Sequence, residues 1–523
     1  MLVVPDQKAL VLAPSNPEQV TACIPTAKTF QFKGHNLLAV PHRIDEARVL
    51  RNLGMPAPSP ILFHYAWEGL HKPFDAQRET AGFATLYTRA YILNEIGTGK
   101  SLATLWAIDY LKRQGKLRKV LVIAPLSTIT MTWGDEIALN FPELRYVVVY
   151  GDSKRRKKLL AQDADIYVIN HDGVEIVLNE LMAMPDLDLV VIDELTQAAR
   201  NSSTRRWKAL NKLINTEGRF KPAWGLTGKP QPKSPMDVWA QVRLLTKDRV
   251  PAYRNRWRDM TMRQVTQFKW VPRPEAVEIC SRAMQPAIRF RRDECFDMPD
   301  CTYTHREVGM TPEQTKLYRE MKERLRAQAE DGEILAVNEG VKMGKLVQIA
   351  CGVVYDTQGN EITLGAPGRM SVVQEIIEQS EGKVIIFVPY VSTVHYVADT
   401  LRAAGYGVGV VYGDVSKAKR DEVFSAFKND DTMDVLVAQP AAMSHGLTLV
   451  VANTIVWYAP ITSNDIFEQA NGRVTRPGQE RQQFVVMLSG SAVERKMYQA
   501  LETQGNMQDI LLNEIKGKDL LTV

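Results

Sequence analysis

Nowhere in the 523 residues is there an uninterrupted apolar run of membrane-spanning length, which takes about 20 residues. The opening residues, MLVVPDQK, also lack the basic and apolar regions of an export signal. A soluble, non-exported protein is therefore expected, in the cytoplasm of a bacterial or virus-infected cell. Cysteine is scarce: Cys23, Cys280, Cys295, Cys301 and Cys351 are odd in number and form no CxxC pair. That pattern suggests neither a disulfide framework nor a zinc knuckle, and reduced thiols are expected. The eight histidines stand singly, without an HxxxH pair, so a metal held by histidine and cysteine alone is not expected. Fixed-period repeats and low-complexity tracts are missing too. The net charge is only +5, so a basic footprint for an anionic partner has to be local.

What is present is an ordinary globular composition, 45% hydrophobic and 24% charged. The chain is too long for one core, so two or three domains are expected. From about residue 90 to 230, short runs apolar on both faces recur between helical segments: RAYIL, KVLVIAP, YVVVYG, DIYVIN, LDLVVIDE and WGLTG. Such runs indicate a parallel sheet covered by helices. The pattern restarts after residue 380 with KVIIFVPY, YGVGVVYG, MDVLVAQP, NTIVWYAP and QFVVMLSG, which predicts a second α/β sheet. Between the two lies a helical stretch, PEQTKLYREMKERLRAQAE. Residues 1–66 read as a small α+β appendage, with strands at KALVLA and KTFQFKG and a helix DEARVLRNLG stopped by Gly54.

IGTGKS, Ile96 to Ser101, follows the strand RAYIL and opens an amphipathic helix, which is the setting a phosphate loop requires. Gly97 and Gly99, flanking Thr98, let backbone N–H groups turn onto phosphate oxygens. Lys100 offers a charge to the β and γ phosphates of ATP, and the Ser101 hydroxyl can ligate Mg2+. Asn94 stands where the full pattern has glycine. The apolar run LVVI delivers Asp193 and Glu194 to a sheet edge, where ligands bind in open α/β folds. Asp193 there can hold the magnesium through water, and Glu194 can orient or deprotonate the attacking water.

The order and wording of these segments, from about residue 70 to 515, resemble superfamily 2 helicases of the Swi/Snf-type double-strand DNA translocase branch. The resemblance implies two tandem RecA-like parallel-sheet lobes, at 67–300 and 301–523, behind the α+β appendage at 1–66. Lys72, Pro73, Phe74 and Gln77 are similar to the adenine-recognition motif, which places Phe74 and Gln77 at the nucleotide. APLSTITMTW looks like motif Ia and VINHD like motif Ib, implying nucleic-acid contacts by Ser127, Thr128, Asn170 and His171. DELT stands in place of the DEAH form, and LTGKP, with Lys229, is similar to motif III. KVIIFVPY resembles motif IV and QPAAMSHGLTL motif V, which implies further contacts by Tyr390, His445 and Gly446. QANGRVTRPGQ resembles motif VI and brings Gln469, Arg473 and Arg476 to the nucleotide. Arg473 and Arg476 are three apart, so on a helix they would share a face and could neutralise charge on the γ-phosphoryl group.

The implied protein is an ATP-driven motor on duplex or branched DNA, bound through its backbone without regard to sequence and acting in replication, recombination or repair. A strand-separating DNA or RNA helicase, and a nucleotide-gated scaffold with little hydrolysis, are the alternatives. The basic run SKRRKK, the pair Arg205 and Arg206, and the trio Arg289, Arg291 and Arg292 read as solvated surface before they read as phosphate contacts. Trp133 and Trp457 read as core. The appendage offers Lys28, Lys33, His35, His42, Arg43, Arg48 and Arg51 as phosphate contacts beside a branch point.

Overall fold

The structure is a computed structural model. It describes residues 1–126, 128–216, 220–231, 234–266, 270–295, 299–330, 337–355, 361–443, 449–475 and 479–502. The chain divides into two compact units, with the boundary between residues 296 and 297.

The first unit begins with four antiparallel strands, β1 (Leu2–Val4), β2 (Ala9–Leu12), β3 (Lys28–Phe32) and β4 (His35–Pro41), in the order β1-β2-β4-β3. Lys33 and Gly34 both have positive φ, 46° and 79°, the geometry a two-residue hairpin between twisted strands demands. Two helices pack on this sheet. Pro17–Cys23, which the sequence reading did not anticipate, starts at Asn16, whose side chain accepts from the Gln19 amide. Ile44–Asn52 ends ahead of Gly54, at φ 80°. Leu10, Leu12, Val20, Leu38, Val40 and Leu50 form the core between them.

The rest of this unit is built on a parallel sheet of β5 (Arg89–Ile92), β6 (Lys119–Ala124), β7 (Tyr146–Val149), β8 (Ile166–Asn170), β9 (Leu187–Asp193) and β10 (Ala223–Leu226). A small hairpin, β11 (Met262–Gln264) and β12 (Trp270–Pro272), precedes the edge strand β13 (Ala287–Ile288). The order is β13-β5-β10-β9-β6-β8-β7. The central strands are apolar throughout because helices cover both faces. One face meets helices Arg205–Asn215 and Met236–Leu245, the other Asp75–Leu86 and Lys100–Arg113.

The second unit has its own parallel sheet, β14 (Cys301–Glu307), β17 (Lys383–Phe387), β18 (Val408–Val411), β19 (Val435–Ala438), β20 (Ala452–Trp457) and β21 (Gln483–Ser489). The order is β14-β21-β20-β17-β19-β18. A separate hairpin joins β15 (Val353–Tyr355) to β16 (Glu361–Thr363). Every strand read from the apolar runs is present, and the interlobe helix spans Pro312–Glu330. The edge strand β14 is an addition. Its residues CTYTHRE are mostly exposed, so the apolar signal of a buried parallel strand is missing there.

Candidate ATP site and nucleic-acid contacts

β10 lies between β5 and β9 and fixes their heights: Leu226 pairs with Ile92 on one side and with Asp193 on the other. The carboxyl ends of three neighbouring strands thus bring the loop 94–100, the Asp193–Glu194 pair and the segment Thr227–Pro230 to one sheet edge. Gly97 and Gly99 adopt left-handed φ of 89° and 71°, as a loop that turns its amides inward requires. A Cβ on Gly99 would stand 2.0 Å from Gln77 Nε2, so the Gln77 amide packs directly on the phosphate loop. The Gln77 carbonyl oxygen accepts from the Phe74 amide at 3.0 Å. The Phe74 ring remains 41% exposed. Thr98 is buried and donates to the Glu95 carbonyl. Ser101 occupies the first turn of helix Lys100–Arg113.

Lys100 Nζ donates to the Asn94 and Glu95 carbonyls, 2.9 Å each. Burial lowers the Lys100 pKa, while Glu194, Asp193 and Glu95 pull it back up. Burial raises that of Asp193, opposed by the Trp133 hydrogen bond and by Lys100. These opposed shifts show a cation and a carboxylate sharing one desolvated space, the environment in which charge on a phosphoryl group is stabilised most.

Asp193 is held at both ends. Trp133, fully buried, donates its indole N–H to Oδ2 at 2.9 Å, and the Glu194 amide donates to Oδ1 at 3.0 Å. His171 Nε2 donates to the Asp193 carbonyl at 2.8 Å. Burial drives the His171 pKa down to about 4, so the ring is neutral and its proton serves this bond. Glu194 has φ 49°, a left-handed conformation that costs a glutamate energy and clusters at functional sites. Leu195 and Thr196, the altered positions of DELT, are tied inward. Leu195 leaves no room for a Cβ on Gly225, and Thr196 Oγ1 donates to the Lys229 carbonyl at 2.7 Å and meets Thr227 at 3.1 Å.

Asn94 is part of the scaffold. Its amide donates to Thr80 Oγ1 at 2.8 Å, and its oxygen accepts from the Phe290 amide at 3.0 Å. Its φ is not positive, so glycine is not needed there. Arg289, one of the trio read as surface, is buried and pairs with Glu95 at 3.0 Å beside the loop. The SKRRKK run is a helix, Ser153–Leu160, in which Arg156 is buried against the Gly151 and Val149 carbonyls and Lys157 pairs with Glu180. Arg206 is bound to Asp172, and Arg205 opens helix Arg205–Asn215.

Of the residues expected at nucleic acid, Thr128 caps the π-helical turn Ile129–Gly134, and Asn170 ends β8 with little exposure. The π-turn is what lets Trp133 reach Asp193, a link no spacing rule in the sequence announces. Tyr390 caps helix Val391–Ala403 and donates its hydroxyl to the Gly344 carbonyl at 3.2 Å. Ser127, His445, Gly446 and Arg476 lie outside the described residues. Gln469 sits on helix Asn464–Asn471, which Trp457 fastens by donating to Asn471 Oδ1 at 2.9 Å. The expectation of a helical position needs correcting for Arg473. The helix stops at Asn471, with Gly472 at its cap, and Arg473 follows in a turn, 5% exposed.

A glycine loop with its lysine, and an Asp–Glu pair at the end of the next strand but one in the same sheet, define a nucleotide-hydrolysing α/β enzyme. Residues 86–353 match the SNF2-related domain and residues 368–478 the helicase conserved C-terminal domain. The chain belongs to the SNF2-related family and is an ATP-hydrolysing enzyme of the helicase type. Its relatives include the p41 protein of Acyrthosiphon pisum secondary endosymbiont phage 1, 22% identical over 82% of this chain and 95% of the phage protein. An uncharacterized ATP-dependent helicase of Mycoplasma pneumoniae is 23% identical over 82% of this chain, which spans 41% of that protein. The SWI2/SNF2 ATPase core of Sulfolobus solfataricus, solved with dsDNA, aligns at 23% identity and a TM-score of 0.42, covering 86% of this chain and 95% of that one. Among the described residues no helix is long and apolar enough to cross a membrane.

Proposed function

We propose that the protein is a DNA translocase whose ATP is held and hydrolysed at the edge formed by β5, β10 and β9. The convergence of Lys100, Asp193 and Glu194 there, with Asp193 anchored by Trp133 and His171, carries this reading. The donor set fits a magnesium nucleotide: left-handed glycines for phosphate oxygens, a lysine, a helix-opening serine and a buried carboxylate. Magnesium, when bound there with ATP, would supply charge neutralisation on the β and γ oxygens. Lys100 shares that charge, Ser101 and Asp193 hold the ion, and Glu194 accepts a proton from the attacking water. Phe74 and Gln77 flank the base. Gln469, Arg473 and Arg476 act on the same phosphates from the second lobe, and Arg473→Ala should reduce stimulated turnover more than ATP affinity. Ser127, Thr128, Asn170, His171, Tyr390, His445 and Gly446 form the track along the DNA backbone, with His171 acting there from beneath the surface.

The DNA is duplex or branched and read without sequence preference, in replication, recombination or repair. The amino-terminal module favours a branched substrate with fewer groups than its sequence offers. Arg48 donates twice to the Thr85 carbonyl, Arg51 donates to the Tyr87 hydroxyl, and His42 is buried between Pro58 and His64. The two arginines attach the module to the first lobe and His42 is tied within the module, leaving Lys28, Lys33, His35 and Arg43 exposed. The deciding experiment is ATP turnover without nucleic acid and with single-stranded, duplex and forked DNA and RNA. Strongest stimulation by duplex or forked DNA is expected, and stimulation by RNA alone or by nothing would reject the proposal.

A further inference from the structure

A basic surface on the first lobe lies outside every segment used above. Helix Arg254–Thr261 buries Trp257 and Thr261 and turns Arg254, Asn255, Arg256, Asp259 and Met260 to solvent. It runs directly into the hairpin of β11 and β12, where Met262 faces inward and Arg263, opposite Val271, faces out, as strand alternation requires. Arg273 follows the hairpin, and its Nε donates to the Met262 carbonyl. Arg258 lies over the Trp270 ring, 4.3 Å from its centre. Tyr253, just ahead of the helix, is 71% exposed.

The arginines here are used differently from other exposed cations of the lobe. Arg118 is paired with Asp188, Arg145 with Asp163, Lys157 with Glu180 and Arg206 with Asp172. Among the described residues, Arg254, Arg256 and Arg263 have no carboxylate within ion-pair distance and donate no hydrogen bond. Guanidinium groups left open in this way suit phosphate, which they bind through two parallel N–H groups.

The placement of the surface points the same way. Helix Met236–Leu245 starts at the carboxyl edge of the sheet, where Gln241 is bonded to Thr196 and to the Pro230 carbonyl. It ends at the opposite edge, where Arg89 at the start of β5 donates to the Leu245 carbonyl. Helix Arg254–Thr261 then returns, since the Trp257 indole donates to the carbonyl of Pro235, ahead of that first helix, at 3.0 Å. The hairpin after it therefore stands at the edge that carries the nucleotide site and the motif loops.

We propose that helix Arg254–Thr261 and the β11–β12 hairpin form an accessory contact for the phosphate backbone of the DNA on which the motor works. Arg254, Arg256 and Arg263 bind phosphates and Tyr253 lies against an adjacent sugar or base. The inference rests on the DNA reading above and adds a contact outside the helicase motifs.

The test is the salt dependence of duplex DNA binding by the full chain and by the Arg254→Gln/Arg256→Gln/Arg263→Gln variant. Each lost phosphate contact should shallow the log–log slope by about 0.9, so a reduction of about 2–3 is expected, with affinity at low salt down about 10-fold or more. Turnover without DNA and the thermal transition should stay at wild-type values, because these side chains are exposed and hydrogen-bond to neither Lys100 nor Asp193. Lys154→Gln/Lys158→Gln, on the exposed side of helix Ser153–Leu160, is the control for loss of charge as such. An unchanged slope in the triple variant, or an equal reduction in the control, would overturn the accessory contact while leaving the motor reading intact. A wild-type protein that neither binds DNA nor is stimulated by it would overturn both.

Discussion

The two lobes share a parallel-sheet architecture and place their buried charge differently. In the first, Lys100, Asp193 and the Arg289–Glu95 pair stand at the carboxyl edge, around a loop of left-handed glycines. In the second, Arg369 and Glu494 meet at 2.9 Å in the packed interior, both essentially without exposure. Glu494 there also accepts from the Gly490 amide and the Ser491 hydroxyl, closing off its oxygens. Charge at an edge is available to a ligand, whereas charge sealed in a core can only tie segments together. Each lobe also uses one fully buried tryptophan to fix a motif residue, Trp133 on a carboxylate and Trp457 on a neutral amide. The lobes are thus alike in scaffold and unlike in what their polar groups are free to do.

Lys100→Ala is the sharpest way to break the comparison. Turnover should collapse, by about 1000-fold or more as expected for loss of charge stabilisation at a transferring phosphoryl group, while calorimetry shows both lobes still folded. Turnover within twofold of wild type would remove the first-lobe edge from the chemistry. Glu494→Gln should do the reverse. It leaves Arg369 buried without its counter-charge, which costs about 3–5 kcal/mol and should lower the thermal transition of the second lobe.

Acid should reach the first lobe through His171. Its folded pKa, about 4, lies below the ordinary value of 6.5, so the unfolded chain binds the proton more readily. The stability due to the neutral ring is complete above about pH 6.5 and is lost as pH falls towards 4, by up to about 3 kcal/mol. A His171→Gln variant should show a shallower acid limb in denaturant titrations, and an identical limb would refute the assignment. Trp133→Phe removes a donor from a buried carboxylate and should lower turnover about 10-fold and weaken the response to magnesium concentration, the scale of one hydrogen bond to a charged group. Trp457→Phe removes a donor from a neutral amide and should cost about 1 kcal/mol in stability. If the two variants were equal in both readouts, the contrast between a chemical and a structural tryptophan would fail.

Much of this was legible because buried parallel strands are apolar without interruption and phosphate loops need glycine at fixed places. The strands from RAYIL to QFVVMLSG, the left-handed Gly97 and Gly99, and the strand-end position of Asp193 all follow from those constraints. What escaped depends on partners far apart in the chain. Trp133 and Asp193 are 60 residues apart and meet through a π-turn. Arg289 resembles a surface arginine until Glu95, 194 residues away, receives it. Spacing also misleads where a helix stops early, as at Asn471 before Arg473. Basic residues of the appendage were countable from sequence, but Arg48 and Arg51 turn out to be its attachments and His42 part of its interior.

The two bonds of Asn94 have a consequence for the order of events during synthesis. The side chain that seats the base of the phosphate loop needs Thr80, made just before it, and the amide of Phe290, made almost two hundred residues later. Glu95 waits equally long for Arg289, and β5 for its edge neighbour β13. A nascent chain that has emerged only as far as β10 has the glycines, Lys100 and both carboxylates but not the Phe290 and Arg289 contacts that brace the base of the loop. The base of the proposed nucleotide loop is therefore among the last parts of the first lobe to receive all its contacts during synthesis.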